Sequence, residues 1–292
     1  MSKFDFEYAK LCNYILNEGV YCRNRTGINT YAVTPYVMQF DLEEEFPILT
    51  IKKVAYKSAI KEMLWFYQMQ SNDVRELRER GVKVWNEWEV DEDGWYRIYE
   101  KDGTTIKSQK HFGEEYAHTI GTAYGWIVNN YGLIDKLIDK LKNNPDDRRM
   151  VMSLWQDAHL DTAVLPSCVW STTWRVLDGK LNVVVNQRSC DVFLGFPFNV
   201  TQYAVLLHML AQVTGYKPGK MTWVISDAHI YENHIEQVKK AIGNLDKAYP
   251  APKLCLNPEI KDFYDFDNSK ELKDIWLENY QNHGSITAEV AI

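Results

Sequence analysis

This sequence lacks the motifs of several common enzyme chemistries. It contains no GxGxxG, GxxxxGK(S/T) or HExxH pattern and no fixed-period repeat, which argues against the usual dinucleotide, P-loop, zinc-protease and solenoid architectures. Its five cysteines form no CxxC pair, so neither a zinc site nor a disulfide framework is favoured, and we expect no metal. Catalytic chemistry must therefore come from residues outside these patterns.

Long hydrophobic runs are also missing. No stretch approaches about 18 apolar residues, and the opening MSKFDFEY is charged without an apolar export segment, so we expect a cytoplasmic protein. The 33 Lys and Arg residues against 40 Asp and Glu give a net charge of −7, which argues against a general nucleic-acid or anionic-membrane surface. Hydrophobic residues at 46%, with 10 Trp, 18 Tyr and 11 Phe, indicate a folded globular chain.

Helix and strand signals interleave along the chain without regular β-α-β alternation. Helical spacing of Ala55, Ala59, Met63 and Phe66 predicts a buried helix over 54–70. The other predicted elements are a helix over 133–141, a strand over 150–154, an antiparallel pair over 169–176 and 181–187 joined by a D-G turn, and a central helix over 200–214 with Asn199 as N-cap and Gly215 as stop. This pattern predicts a single α+β domain over 1–292, with helices packed on a mixed or antiparallel sheet and a charged surface insertion at 91–118.

Cys168 follows Leu-Pro-Ser at the entry to the predicted hairpin, where a short loop can present a thiol to a cleft. A lone cysteine is often a small buried hydrophobe, so its position alone does not identify a nucleophile. Arg188 ends the second strand of the same hairpin, and a guanidinium near sulfur lowers the thiol pKa and supplies a reactive thiolate. The pair favours a nucleophile, with a structural cysteine as the alternative.

Four arginines lie next to predicted rigid elements: Arg25, Arg148, Arg149 and Arg188. Each alone is typical of surface charge. If they converge with the Ser189 hydroxyl they form a phosphate site, because Arg makes bidentate, charge-assisted bonds to phosphate oxygens. Sequence spacing leaves both interpretations open.

Asp227, His229 and Tyr231 occupy alternate positions of a predicted extended segment, so their side chains point to one side. Such a row can hydrogen-bond a sugar. Side chains satisfied by nearby backbone groups are an equally good interpretation.

Glu62 lies on the apolar stripe of the 54–70 helix. A carboxyl group there should be paired, protonated or used in proton transfer. Trp85 and Trp88, in the segment VWNEW, either fill the core or stack on a flat heterocycle.

Taken in order, these motifs resemble the thymidylate synthase family over nearly the whole chain. The densest similarity is NQRSCDVFLGFPFNV at 186–200, and it continues in HMLAQVTG (208–215), DAHIYENH (227–234), PDDRR (145–149) and VWNEW (84–88). The resemblance implies a homodimer of α+β subunits, associated through their sheets, that converts deoxyuridylate (dUMP) to thymidylate (dTMP). The implied co-substrate is 5,10-methylenetetrahydrofolate, which donates both the carbon and the hydride and leaves as dihydrofolate.

The resemblance also implies roles for residues at matching positions. Cys168 would add to carbon 6 of uracil, Glu62 would organise the proton transfers, and Tyr124 would help to remove the proton of carbon 5. The implied nucleotide contacts are Arg25, Arg188 and Ser189 with the phosphate, Arg148 and Arg149 donated to the phosphate across the dimer interface, Asn199 with the uracil, and His229 and Tyr231 with the deoxyribose.

Folate-contacting positions of the family carry Lys52, Trp85, Trp88, Asp191, Gly195, Phe198 and Ala291 in this sequence, with Lys52 available for a polyglutamate tail. Asp191 is also expected to assist catalysis, together with Arg188 and Asn199. The resemblance further implies that the terminal residues 290–292 close over both ligands and protect the intermediate from water.

Three residues around the cysteine depart from the family's usual pattern: Ser167 replaces Pro, Val169 replaces His, and Thr173 replaces Gln. The nearest alternative activity is hydroxymethylation of dUMP, in which water captures the intermediate in place of hydride. From another class, a non-catalytic nucleotide- or RNA-binding dimer is the alternative, and the intact Cys168 argues against it.

Overall fold

The computed structural model describes residues 2–291, and within them the chain forms seven α-helices and thirteen strands. The helices are α1 (Lys3–Glu18), α2 (Tyr56–Tyr67), α3 (Val74–Glu79), α4 (Gly125–Tyr131), α5 (Leu133–Asn143), α6 (Gly195–Thr214) and α7 (Ile235–Ile242). The strands are β1 (Val20–Cys22), β2 (Thr30–Val33), β3 (Tyr36–Asp41), β4 (Trp95–Tyr99), β5 (Ile106–His111), β6 (Val151–Ser153), β7 (Val169–Leu177), β8 (Lys180–Gln187), β9 (Cys190–Asp191), β10 (Lys217–Ile225), β11 (Ala228–Tyr231), β12 (Lys253–Leu256) and β13 (Ile275–Glu278). Short 3₁₀ helices cover Asn86–Trp88, Glu114–Tyr116, Asp157–Thr162, Glu232–His234, Leu245–Lys247 and Phe263–Asp265.

Two mixed sheets organise the fold. The larger has the order β3-β10-β8-β7-β6, and only its β8–β10 pair is parallel. The smaller has the order β1-β2-β11-β9, with β9 and β11 parallel. The pairs β4–β5 and β12–β13 stand apart from both. Helices pack on mixed sheets, as the α+β prediction requires.

The two faces of the five-stranded sheet differ in burial because side chains alternate along each strand. The inner face buries Trp174 and Trp223 under α6, which packs on β8 and β10. The outer face is formed by the row Val151, Thr173, Val184, Thr222 and Gln39 and the row Ser153, Ser171, Asn186, Val224 and Val37, as the strand registers place them. The outer face therefore carries no charge in these two rows.

Helix α6 begins earlier than its sequence predicts. The expected N-cap, Asn199, lies inside the helix, which starts at Gly195 with Leu194 as its N-cap. Pro197 fits in the first turn because the N–H groups there have no intrahelical acceptor. The helix ends as predicted at Gly215, whose left-handed φ of 80° closes the last turn. The earlier start places the Asn199 side chain on a helix surface.

Helix α2 is shorter than predicted. It begins at Tyr56, and Ala55 is an exposed N-cap and not part of the buried stripe. Ala59, Met63 and Phe66 are buried as expected.

The hairpin prediction is confirmed. Its strands are joined by Asp178 and Gly179, whose φ values of 51° and 69° belong to the turn type that a D-G pair favours. Helix α5 and strand β6 also lie where the sequence places them.

The charged segment 91–118 forms the β4–β5 hairpin, and every residue of β5 is exposed. Lys107 Nζ donates to the carbonyl of Thr26 at 3.3 Å, and Lys110 Nζ donates to the carbonyl of Asp161 at 2.6 Å. The hairpin thus lies against the loop that contains Arg25. Across residues 2–291, no helix is long and apolar enough to cross a membrane.

Candidate active site

Cys168 lies in the loop between the Asp157–Thr162 turn and β7, at the wall of a cavity. Its backbone N–H donates to the Tyr124 hydroxyl at 3.0 Å, and its carbonyl accepts from the Arg188 N–H at 2.9 Å. The cavity is lined by Glu62, Met63, Phe66, Tyr67, Trp85, Tyr124, Cys168, Val169, Asn199, Gln202 and Tyr203. The thiol therefore faces a pocket built from α2, α6 and the start of α4.

The Arg188 guanidinium holds this loop in place. Its Nε donates to the carbonyl of Ser167 at 3.1 Å, and its Nη2 donates to the carbonyl of Pro166 at 2.6 Å. Arg188 thus has a structural task in addition to its predicted electrostatic one.

The thiol pKa does not follow the prediction from sequence. Burial raises the pKa of Cys168, and the opposing effects of the Arg188 charge, the Tyr124 hydrogen bond and the Arg25 charge are smaller. The Arg188 charge acts to lower the thiol pKa, as the sequence predicts, but the net shift is upward because desolvation of a thiolate outweighs two nearby guanidinium groups. The predicted proximity of Arg188 and Cys168 is nevertheless correct.

Glu62 is buried on α2 and accepts two hydrogen bonds. Trp85 Nε1 donates to Oε1, and Gln202 Nε2 donates to Oε2. Burial raises the pKa of Glu62 to about 7, although both hydrogen bonds act to lower it. A carboxyl group with this pKa exchanges protons near neutral pH, as general acid–base catalysis requires.

Tyr124 has a strained backbone for a residue with a side chain. Its φ is 43° with ψ −104°, at the position that precedes α4. Its ring stacks on Phe66 with centroids 4.4 Å apart, and this packing directs the hydroxyl to the Cys168 backbone. Burial raises the pKa of Tyr124 well above its usual value, so the phenol is neutral.

A row of amide side chains connects Glu62 to the predicted phosphate residues. Gln202 Oε1 accepts from Asn199 Nδ2 at 3.0 Å, and Asn199 Oδ1 accepts from Gln187 Nε2 at 3.4 Å. Gln187 Nε2 also donates to the carbonyl of Ser189 at 3.0 Å. Sequence reasoning missed Gln187 and Gln202. The sequence signal for these two residues was that each amide occupies a position where the strand or helix pattern predicts an apolar residue.

Arg25 is exposed, and its charge reaches the same region. Burial raises the pKa of Tyr231, and the Arg25 charge opposes that rise, as it does at Cys168. His229 is buried with Nδ1 3.0 Å from Asp227 Oδ2, and its ring lies 5.1 Å from that of Tyr231. The predicted row of side chains on β11 is present, with His229 partnered by Asp227.

Arg148 and Arg149 are not among the residues around the cavity. Both are exposed in the connection between α5 and β6, and Arg149 Nε donates to Asp147 Oδ1 at 2.9 Å. They lie at the β6 edge of the five-stranded sheet. The fold of this chain does not bring them to Cys168.

Most residues at the predicted folate positions lie around the start of α6 and the cavity. Asp191 Oδ1 accepts from the N–H groups of Phe193 at 2.9 Å and Leu194 at 3.1 Å, which fixes the turn before Gly195. Phe198 is half-buried in the first turn of α6. This turn therefore presents the Asp191 carboxyl group, the glycine and the Phe198 ring together.

The two tryptophans form one wall with Tyr124. Trp85 is buried and its ring lies 5.5 Å from that of half-buried Trp88 and 5.3 Å from that of Tyr124. Ala291 is half-buried at the end of the described chain, and Ile292, the last residue of the predicted closing segment, lies outside the described residues.

Lys52 differs from the expectation of an available lysine. Its side chain is buried, its ammonium donates to the carbonyl of Phe193, and it lies 3.8 Å from the centre of the Phe193 ring. Burial lowers the pKa of Lys52 to about 8. The ammonium group thus supports the turn before α6 and does not face solvent, because the carbonyl and the ring provide its nearest partners.

The three departures from the family pattern lie in different environments. The Ser167 hydroxyl is buried without a hydrogen-bond partner in residues 2–291, Val169 lines the cavity, and Thr173 is exposed on the outer face of the larger sheet. Val169 makes the wall beside the thiol apolar.

No group of three or more His, Cys, Asp or Glu in the described part of the chain is arranged to hold a metal ion. The chemical groups that line the cavity include instead a thiol, a carboxyl group with a pKa of about 7, three phenols and two amides.

Comparison with known proteins agrees with the motifs. The family model described as thymidylate synthase matches residues 6–292. A thymidylate synthase from Clostridium beijerinckii is 50% identical over 292 residues and covers 100% of both chains, and thymidylate synthase 1 of Bacillus subtilis is 39% identical over 311 residues with the same coverage. The solved structure of thermostable thymidylate synthase A from Bacillus subtilis matches with a TM-score of 0.83 at 38% identity, covering 99% of each chain. The resemblance seen in the sequence is confirmed, and the chain belongs to the thymidylate synthase family.

Proposed function

We propose that this protein catalyses the reductive methylation of dUMP to dTMP, with 5,10-methylenetetrahydrofolate as co-substrate, through a covalent bond to Cys168. One observation carries the proposal: the thiol, the Glu62 carboxyl group and the Tyr124 phenol meet at one cavity. A methyltransferase of this kind needs a nucleophile and a proton carrier within reach of one small ring. The names of the relatives support the synthase and do not favour the hydroxymethylase alternative.

The Cys168 sulfur is the nucleophile of the proposed reaction. Its addition to carbon 6 of uracil moves the ring electrons to carbon 5 and oxygen 4, and carbon 5 then bonds to the one-carbon unit. Loss of the carbon 5 proton and expulsion of the tetrahydrofolate nitrogen leave a methylene group on the ring. Hydride reduces this group to methyl while the sulfur leaves carbon 6, so that dTMP and dihydrofolate balance the substrates.

Glu62 and Tyr124 handle protons in this scheme. The pKa of Glu62 near 7 allows the carboxyl group both to donate a proton toward the uracil oxygen and to recover it. Gln202 and Asn199 extend from Glu62 along the cavity wall, and an amide at Asn199 can donate to oxygen 4 and accept from nitrogen 3 of uracil. Tyr124, held next to Cys168, assists removal of the carbon 5 proton.

The phosphate and sugar are assigned to the cationic side of the site. Arg25, Arg188 and Ser189 are proposed to bind the phosphate, and the effect of the Arg25 charge on the Cys168 pKa supports placing Arg25 near the site. His229 and Tyr231 on β11 are proposed to contact the deoxyribose. Strand β11, which carries them, pairs at its first residue with Cys190 of β9. Cys190 follows Arg188 by two residues, so β11 begins close to the proposed phosphate contacts.

The folate fits the wall formed by Trp85, Trp88 and the turn at Asp191. Indole rings stack on flat heterocycles, and a carboxylate accepts hydrogen bonds from amino groups on such rings. The folate supplies the one-carbon unit and the hydride when it is bound. The residues of this chain orient it and exclude water, with Gly195, Phe198 and Ala291 as further proposed contacts. Lys52 contributes by holding the Phe193 carbonyl.

Two copies of this chain are proposed to associate through the outer face of the five-stranded sheet. Two rows of this face carry no charge, and Val37, Val151 and Val184 are exposed on it by 57%, 52% and 38%. An uncharged sheet face of this kind is typical of an interface. Because Arg148 and Arg149 lie at its β6 edge, association can bring them to the phosphate site of the partner subunit. The cytoplasmic location stays a prediction from sequence.

The interface is tested by the substitution Val184→Lys, at the centre of an uncharged row. We expect the dissociation constant of the dimer to rise by at least about 100-fold, because a lysine there buries an unpaired charge. Sedimentation velocity over a concentration series measures it, and activity should fall with the dimer fraction. Val20→Lys, at a valine 67% exposed on the other sheet, is the matched control. Unchanged sedimentation of Val184→Lys would rule out this interface.

The reaction is tested by its product. Purified protein with dUMP and 5,10-methylenetetrahydrofolate should release dTMP with an equal amount of dihydrofolate. A mass spectrum of the nucleotide separates methyl from hydroxymethyl, and the absorbance of dihydrofolate reports the hydride transfer. A hydroxymethylated nucleotide with tetrahydrofolate left over would contradict the proposal.

A further inference from the structure

His234 is a buried residue to which the proposed reaction gives no task. It is 0% exposed at the end of the Glu232–His234 turn. Its Nε2 lies 2.7 Å from the carbonyl oxygen of Glu289, in the C-terminal segment. A carbonyl only accepts, so Nε2 carries the hydrogen and donates it.

Three parts of the site surround this ring. The Phe193 ring, on the folate side, lies 5.7 Å away, and the Tyr231 ring, on the nucleotide side, lies 5.4 Å away. The other ring nitrogen, Nδ1, is buried without a hydrogen-bond partner among residues 2–291 and lies 3.9 Å from Asp191 Oδ1. The two aromatic neighbours fix the plane of the imidazole, so Nε2 is directed at Glu289.

The C-terminal segment, residues 285–291, has no regular secondary structure. Ile286 and Ala288 pack against the core, and Glu289 also pairs with Lys101 at 3.8 Å. That ion pair is 89% and 64% exposed, and exposed pairs contribute little to stability. The hydrogen bond from His234 is the stronger anchor, because His234 is fully buried and its ring N–H is left unsatisfied when the bond is lost.

We propose that His234 is a positioning residue that docks the C-terminal segment beside the turn containing Asp191. The His234 ring contacts Tyr231 on the nucleotide side and Phe193 on the folate side. Docking of the C-terminal segment therefore depends on the positions of both of these rings. The consequence for folate use rests on the proposed function. The docking itself does not.

The test compares His234→Asn with His234→Gln. The glutamine amide can reach the position of Nε2, whereas the asparagine amide is one carbon shorter and cannot reach Glu289. In the protein without ligands, we expect hydrogen exchange of the 285–291 amides to be about five- to tenfold faster in His234→Asn and nearly unchanged in His234→Gln. Lys101→Met, which removes the exposed ion pair, should leave the exchange unchanged.

The kinetic arm measures the KM of each substrate. His234→Asn should raise the KM for 5,10-methylenetetrahydrofolate about five- to tenfold and change the KM for dUMP by less than about twofold, with rescue by His234→Gln. Equal behaviour of the two variants, or unchanged exchange in His234→Asn, would overturn the proposal. If the protein has no synthase activity, the exchange experiment still decides the docking.

A chain truncated after Ala288 is the control that distinguishes loss of docking from misfolding of the His234 variants. It lacks the Glu289 carbonyl, so His234→Asn in this background should leave the folate KM unchanged relative to the truncated chain alone. An additional rise there would show that His234 acts independently of the C-terminal segment, and would contradict the proposal.

Discussion

Cys168→Ala should abolish turnover, with kcat lowered by at least about 10⁴-fold, because no other described group at the cavity can form the bond to carbon 6. Nucleotide binding should persist, since the proposed phosphate contacts do not use the sulfur. The measurements are dihydrofolate formation and dUMP binding by calorimetry.

The matched control is Cys255→Ala, at a half-buried cysteine of β12 outside the cavity, and it should retain activity. Mass spectrometry of the peptide containing Cys168, after incubation with a fluorinated dUMP analogue and the folate, should find the covalent adduct. Appreciable turnover by Cys168→Ala would remove the nucleophile from the mechanism.

Glu62→Gln should lower kcat by roughly 10²- to 10⁴-fold, because the amide cannot exchange the proton that the carboxyl group carries. In the variant, the glutamine NH₂ meets the N–H donor of either Trp85 or Gln202, and two donors cannot bond to each other. Part of the loss in kcat is therefore due to a lost hydrogen bond. The pH dependence of kcat separates the two effects: the limb near pH 7 should disappear in the variant. Glu79→Gln, at an exposed glutamate of α3, should behave like the parent.

The same residue makes a prediction about stability. The pKa of Glu62 rises from 4.5 to about 7 on folding, so the folded chain holds a proton that the unfolded chain releases between these values. The contribution of this group to stability is therefore present below pH 4.5 and is lost as the pH rises toward 7, by about 3 kcal/mol in total.

Glu62→Gln removes this titration. Urea unfolding at pH 5 and pH 8 measures the free energy of unfolding. Between these pH values, the free energy of unfolding of the variant should increase relative to that of the parent. An equal difference at both pH values would contradict the raised pKa. Glu79→Gln again serves as the control.

The sequence by itself determined the family and much of the local structure. Motif order identified the thymidylate synthase resemblance, and the D-G turn and the left-handed Gly215 were predictable because backbone conformation at those positions depends on the residue itself. The buried Glu62 was also predictable, since an acid on an apolar stripe must be buried.

Only the tertiary structure decided the properties that depend on several chain segments at once. The raised pKa of Cys168, the buried ammonium of Lys52 and the hydrogen bond from His234 to Glu289 each arise from residues far apart in the sequence. Desolvation is set by everything packed around a group, whereas a motif records only its chain neighbours. Local signals therefore determined most of the elements, and packing determined the protonation and the partners of the buried polar groups.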